Sequence, residues 1–299
     1  MSPLRSHLAL FTVNLMYGIN YVISKGLMPA VIGANGFIFL RASGAVLIFW
    51  LIYLFKFERI RFRDFGLLAV CGFFGVGLNQ LLFFNGLLLT SPVNASIIMV
   101  TTPILVLVLS LIFVRQNVQM TQILGVLLGA LGAILFSLTN SGQGFASGSG
   151  DLFIFLNAFS YAIYMVLVKP LMNRYNALTV ITWVFSFGFL VVLLWPLSTR
   201  EFTSVDWSSL SYAEAGQLIF VVVGVTVLPY LLTVYAMKQV SPTVASVYIY
   251  IQPVLATLFI YLFWLLGLED YTRDLSWIKL ACTGLVFLGV YLVIKPKRY

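Results

Sequence analysis

Most of this chain is made of apolar runs about as long as a bilayer is thick, joined by short polar connections. A helix crossing the hydrocarbon core needs about 20 mostly apolar residues. Runs of that kind occur at 8–26, 34–55, 66–87, 93–114, 119–137, 152–171, 177–197, 213–236, 243–266 and 276–294. Lipid offers no hydrogen bonds, so a spanning segment must satisfy its backbone internally, and an isolated run does so only as a helix. Charged residues make up 9% of the chain, against roughly 25% in soluble domains. The prediction is an all-α polytopic membrane protein with ten transmembrane helices and the lipid bilayer as its solvent. The net charge of +8 sits in the connections, so nucleic acid is not expected as a partner. The first run has no small-residue cleavage site and nine more follow, unlike a signal peptide.

Lys and Arg accumulate on the cytoplasmic side of membrane proteins. With the N-terminus inside, twelve of them fall inside and four outside (Lys25, Arg200, Arg273 and Lys279), with Arg41 within a span. Both termini are therefore expected in the cytoplasm. The Gly/Ser-rich stretch 141–150 reads as a linker. It divides the chain into five-span halves, 1–140 and 151–299. The halves resemble each other: Tyr17 and Lys25 match Tyr161 and Lys169 at one offset. Five is odd, so the second half enters the membrane from the opposite face, giving two inverted repeats.

The strongest match between halves is Ser91-Pro92-Val93-Asn94-Ala95-Ser96 leading to Pro103, and Ser241-Pro242-Thr243-Val244-Ala245-Ser246 leading to Pro253. Paired proline-interrupted spans in corresponding positions point to the binding site of a secondary transporter. Proline has no N–H to give the carbonyl four residues earlier. The carbonyls of Met99 and Ile249 are thus expected to be free near mid-membrane, with Pro103 and Pro253 as helix breaks or gates.

Polar and aromatic side chains at similar depths supply the cavity candidates: Tyr17, Asn20, Gln80, Phe84, Met99, Thr102, Tyr161, Tyr164, Tyr248 and Gln252. Polar groups in a bilayer core are costly unless partnered, so they face inward. Apart from Glu214, at the very start of the eighth run, no Asp or Glu lies inside any run, and Asp151 at the mouth of the sixth is the carboxylate best placed for proton coupling. Arg41 is expected to snorkel to the outer interface, with lining the pathway as the alternative. Gly125, Gly129 and Gly132 read as a close-packing stripe, and Gly72, Gly75 and Gly77 similarly. Cys71, Cys282 and the single histidine, His7, form no metal or catalytic pattern. No cofactor, metal or catalytic residue is predicted.

These motifs, with Tyr17-Gly18-Ile19-Asn20 in the first span and Phe39-Leu40-Arg41 in the second, resemble the EamA-type drug/metabolite transporters over nearly the whole chain. Exporters of aromatic amino acids of the YddG type look like the nearest functional model, and by position the resemblance implicates Gln80, Phe84, Thr102 and Tyr161. It implies export of small amphipathic metabolites, amino acids foremost, across a bacterial cytoplasmic (inner) membrane by alternating access, as a monomer or homodimer. A broad-specificity drug exporter is the alternative, and a membrane receptor or enzyme a more distant one.

Overall fold

The computed structural model describes residues 3–90, 92–114, 119–138, 148–267 and 277–294. Ser91, Arg115, most of the 141–150 linker, the acidic loop at 269–274 and the basic C-terminal residues lie outside them. The described chain is helical, with no strand. The helices are α1 (Pro3–Leu27), α2 (Ala34–Leu54), α3 (Phe62–Leu89), α4 (Pro92–Ile98), α5 (Thr101–Leu109), α6 (Met120–Leu138), α7 (Gly148–Met172), α8 (Ala177–Leu194), α9 (Pro196–Thr203), α10 (Tyr212–Ala236), α11 (Pro242–Leu265) and α12 (Trp277–Ile294). Among the described residues, six helices are long and apolar enough to cross a membrane: α2, α3, α7, α8, α10 and α11. Shorter apolar helices run Thr101–Phe113, Met120–Gly132 and Gly284–Val293. Arg5, His7, Asn14, Asn20, Ser24 and Lys25 dilute the apolar character of α1, and Pro103 divides the fourth run into α4 and α5.

The polar residues of the spans are turned inward beside a buried core that includes Phe37, Phe49 and Phe185, while many other large apolar residues face outward. Leu47, Leu51, Leu127, Leu131, Leu190 and Leu262 are exposed, the inverse of a soluble surface and the pattern of a lipid-facing one. The tightest pairing joins α6 to α12. A Cβ built on Gly289 would lie 2.5 Å from the Gly129 nitrogen and 2.7 Å from the Gly125 carbonyl. Gly125 and Gly129 therefore do serve close backbone packing. Gly72 and Gly77 do the same against α8, and Gly75 makes room for the Tyr164 ring of α7.

Side chains tie the two halves together at both ends of the bundle. At one end Arg174 pairs with Asp64 at 2.5 Å, the Tyr175 hydroxyl donates to Asp64 at 2.6 Å, and Glu58 accepts from Asn176 N–H and Thr179. Burial, then the bond to Asp64, pushes the Tyr175 hydroxyl above its usual pKa. At the other end the Glu201 carboxylate on α9 accepts from the Asn35 N–H, the Asn35 side chain and the Gly36 N–H. Those are orphan donors in the first turn of α2, which a carboxylate suits through both hydrogen bonding and the helix dipole. Asp151, in the first turn of α7, accepts from the Thr90 hydroxyl at 2.6 Å.

Two lysines perform the same task in different halves. Lys25 near the end of α1 donates to the Leu87, Leu88 and Thr90 carbonyls at 2.8, 2.9 and 3.0 Å, at the C-terminus of α3. Lys169 near the end of α7 donates to the Met237 and Val240 carbonyls at the C-terminus of α10. Each satisfies carbonyls that have no intrahelical partner.

Local departures from the α-helix also recur. Residues Phe73–Gly77 of α3 and Val223–Val227 of α10 each form a π turn. In the first, the Phe74 and Gly75 carbonyls accept from Ser160 at 2.6 Å and Tyr230 at 3.0 Å. At the prolines the expectation of free carbonyls needs correction. The Met99 carbonyl accepts from the Thr102 N–H at 3.0 Å, and the Ile249 carbonyl accepts from the Gln252 N–H. Both chains tighten into i→i+3 bonding beside the proline, which repairs the loss locally.

Candidate functional site

The α4/α5 break and the 3₁₀ turn at Tyr248–Ile251 bring Met99 and Ile249 to one cavity. Its other walls are Tyr17, Asn20 and Tyr21 of α1, Arg41 of α2, Asn79, Gln80, Phe83 and Phe84 of α3, Asn157 and Tyr161 of α7, Tyr230 of α10 and Gln252 of α11. Its free volume is about 70 Å³, small beside the roughly 300–1,000 Å³ of drug-sized pockets.

Of the residues singled out from sequence, Tyr17, Asn20, Gln80, Phe84, Met99, Tyr161 and Gln252 line this cavity. Thr102, Tyr164 and Tyr248 do not. Thr102 is fully buried one residue before the proline. The Tyr164 ring fills the notch left by Gly75, where a Cβ would lie 2.4 Å from it. The Tyr248 hydroxyl bonds the His7 Nδ1 at 2.8 Å, toward the start of α1. Pro103 and Pro253 shape the cavity through the backbone and are not among its lining side chains.

Arg41 takes the second of its two expected positions and lines the cavity. It does not snorkel: it is 3% exposed. Its guanidinium lies 4.6 Å from the centre of the Phe84 ring. Its Nε donates to Gln80 Oε1 at 3.3 Å and its Nη1 to Asn20 Oδ1 at 3.2 Å. Among the described residues the only ion pair is the distant Arg174–Asp64. Ser24 also donates to Asn20 Oδ1, at 2.7 Å, leaving that oxygen well occupied. Two cavity-wall atoms have no partner: Gln80 Nε2, a donor, and Asn157 Oδ1, an acceptor.

Gln252 is held differently. Its Oε1 accepts from the Tyr21 hydroxyl at 3.0 Å and its Nε2 donates to Asn14 Oδ1 at 2.7 Å. Both ends of the amide are used in joining α11 to α1, so it forms a fixed polar wall. Ile249 and Tyr230 were not chosen from sequence as site residues with the others. The signal was present, since they stand 150 residues after Met99 and Gln80, the same offset that relates the two prolines.

A cavity inside a bundle of apolar helices, walled by broken spans and holding one buried cation, is the architecture of a membrane carrier. The model of the EamA-like transporter family matches the chain twice, over residues 4–138 and 148–295, and the chain belongs to that family. An uncharacterized transporter of Archaeoglobus fulgidus is 26% identical over 240 residues, 80% of this chain and 81% of the relative. The uncharacterized transporter YetK of Bacillus subtilis is 26% identical over 272 residues, 89% and 80% of the two chains. A solved crystal structure shares the fold with a TM-score of 0.73 at 17% identity, covering 97% of this chain and 96% of the other.

Proposed function

We propose that this protein is a secondary transporter with ten spans in two inverted five-helix repeats, exporting small amphipathic metabolites, amino acids foremost, by alternating access. Its membrane is a bacterial cytoplasmic membrane with both termini inside. The observation that carries the reading is that both halves contribute equivalent positions to one cavity: Tyr17 and Tyr161, Gln80 and Tyr230, Met99 and Ile249. Two similar bundles flanking one mid-depth site can rock about it and open it to either side. The repeated lysine caps and π turns support the same duplication. Lys56, Arg59, Arg61, Arg63 and Arg174 gather at or near the end where Asp64 meets Arg174, which the positive-inside rule assigns to the cytoplasm.

The size of the cavity favours small substrates over those of a broad drug exporter, and YddG-type amino-acid exporters are the working model. Counterflow in proteoliposomes tests the proposal. Vesicles loaded with a panel of unlabelled amino acids and related acids should transiently accumulate the labelled counterpart of a substrate. Accumulation no greater than in protein-free vesicles across the panel would refute the transporter reading.

A further inference from the structure

We propose that Arg41 is the anion-binding subsite of this cavity, and that the substrates are organic carboxylates whose apolar portions rest against Phe83, Phe84, Met99 and Ile249. The assignment rests on reading the cavity as the transport site, and it names the substrate class. A guanidinium offers five N–H donors in a planar fork. Two are engaged, with Gln80 and Asn20, both through neutral amide oxygens. Neither supplies a countercharge. The acids described near the ends of the bundle are otherwise occupied: Glu201 by Asn35 and Gly36, Asp151 by Thr90, Asp64 by Arg174 and Tyr175, and Glu58 by Asn176 and Thr179.

A buried cation without a counterion is costly, and a protein retains one where it has work to do. Arg suits a planar carboxylate because two parallel N–H groups meet its two oxygens. The neighbouring orphan points the same way. Gln80 turns its oxygen to Arg41 Nε, which leaves its Nε2 donor buried and unpartnered on the cavity wall. A carboxylate beside Arg41 would accept from both. Phe84 lies against the guanidinium and limits water access to the pair, which strengthens it. Asn157 Oδ1, also on the cavity lining and without a partner, is an acceptor for an ammonium, so α-amino acids are admitted along with acids that lack one. The carboxylate is what they share.

The test compares acids with their uncharged or carboxylate-free analogues on one skeleton: leucine with leucinamide, phenylalanine with phenylalaninamide, 4-methylpentanoate with its amide. Binding to the purified protein in chloride-free buffer is followed by thermal stabilisation and intrinsic fluorescence, with counterflow on the same pairs. Each substrate acid should bind about 10- to 100-fold more tightly than its amide, the factor for hydrogen bonds to a charged group. Arg41→Gln should erase that ratio, and Arg41→Lys, which keeps the charge without the fork, should restore part of it. If Arg41→Gln does not insert, the acid-to-amide ratio in the unaltered protein still decides. Equal affinity for acids and amides, or no acid bound at millimolar concentration, overturns the subsite. Counterflow of amides as fast as acids would also overturn it while leaving the transporter reading intact. Acid-selective binding without any counterflow would do the reverse.

Discussion

Replacing Lys25 by Met keeps most of the aliphatic stem and removes the ammonium. The three carbonyls it serves, on Leu87, Leu88 and Thr90, then lose a charged donor. Leu87 is fully buried and Thr90 is 2% exposed, so water reaches them poorly. A hydrogen bond to a charged group contributes about 1.5–3 kcal/mol, and the ammonium at a helix C-terminus adds about 0.3–1 kcal/mol. Lys25 is itself half-buried, and some water follows into the space it leaves, so the three bonds are not additive. The expected loss is about 2–3 kcal/mol. Lys169→Met should cost a similar amount, because it removes the same cap from α10. Exposed Lys56→Met serves as the control and should change stability by less than about 0.5 kcal/mol. Reversible unfolding in mixed micelles, followed by Trp fluorescence, gives the three values. A Lys25→Met variant indistinguishable from Lys56→Met would refute the capping argument. A large effect at one lysine only would remove the functional equivalence of the two ends.

Pro103→Ala and Pro253→Ala should insert and remain folded but slow turnover at least about tenfold, or about 1.4 kcal/mol in barrier. Each supplies the missing N–H and draws the chain back from i→i+3 to α bonding; counterflow and thermal stability on the same preparations separate the two effects. Gly289→Ala should destabilise by about 1–3 kcal/mol through overpacking, since the atoms it meets are backbone and cannot rotate away. Gly284→Ala, whose Cβ meets nothing within 4 Å, should be neutral in the same unfolding assay.

Run length and the scarcity of charge made the helices and most of their boundaries legible in the sequence. The matched prolines made Met99 and Gln252 legible, because the spacing that relates them also relates the residues around them. Arg41 was left between two readings, with snorkelling ahead because it is the general solution for a lone cation in a span. What decides against it here is a set of tertiary partners, Asn20, Gln80 and Phe84, drawn from two other helices. Tyr164 and Tyr248 had the right residue type and depth but the wrong azimuth. One is claimed by the notch at Gly75 and the other by His7, and neither fact is local. Glu201 was invisible as a cap because α9 lies far from α2 in sequence, and a single acid in a polar connection carries no signature.

The π turns at Phe73–Gly77 and Val223–Val227 leave a consequence for how this family can vary. A π turn accommodates one residue beyond an α turn, and one residue is about 100° of helix rotation. Asn79, Gln80, Phe83 and Phe84 all follow the first such turn, and Tyr230 follows the second. The direction in which they point is therefore set by a count of residues upstream and not only by their own identities. Substitutions along these helices edit the cavity one side chain at a time. A single deletion within 73–77 would relax the turn to an α turn and let the α3 wall keep its face, a change of length that in an unbroken helix would turn the lining by about 100°. Thiol accessibility of Gln80→Cys should be the same with and without that deletion, and a loss of access would register a rotation of the helix.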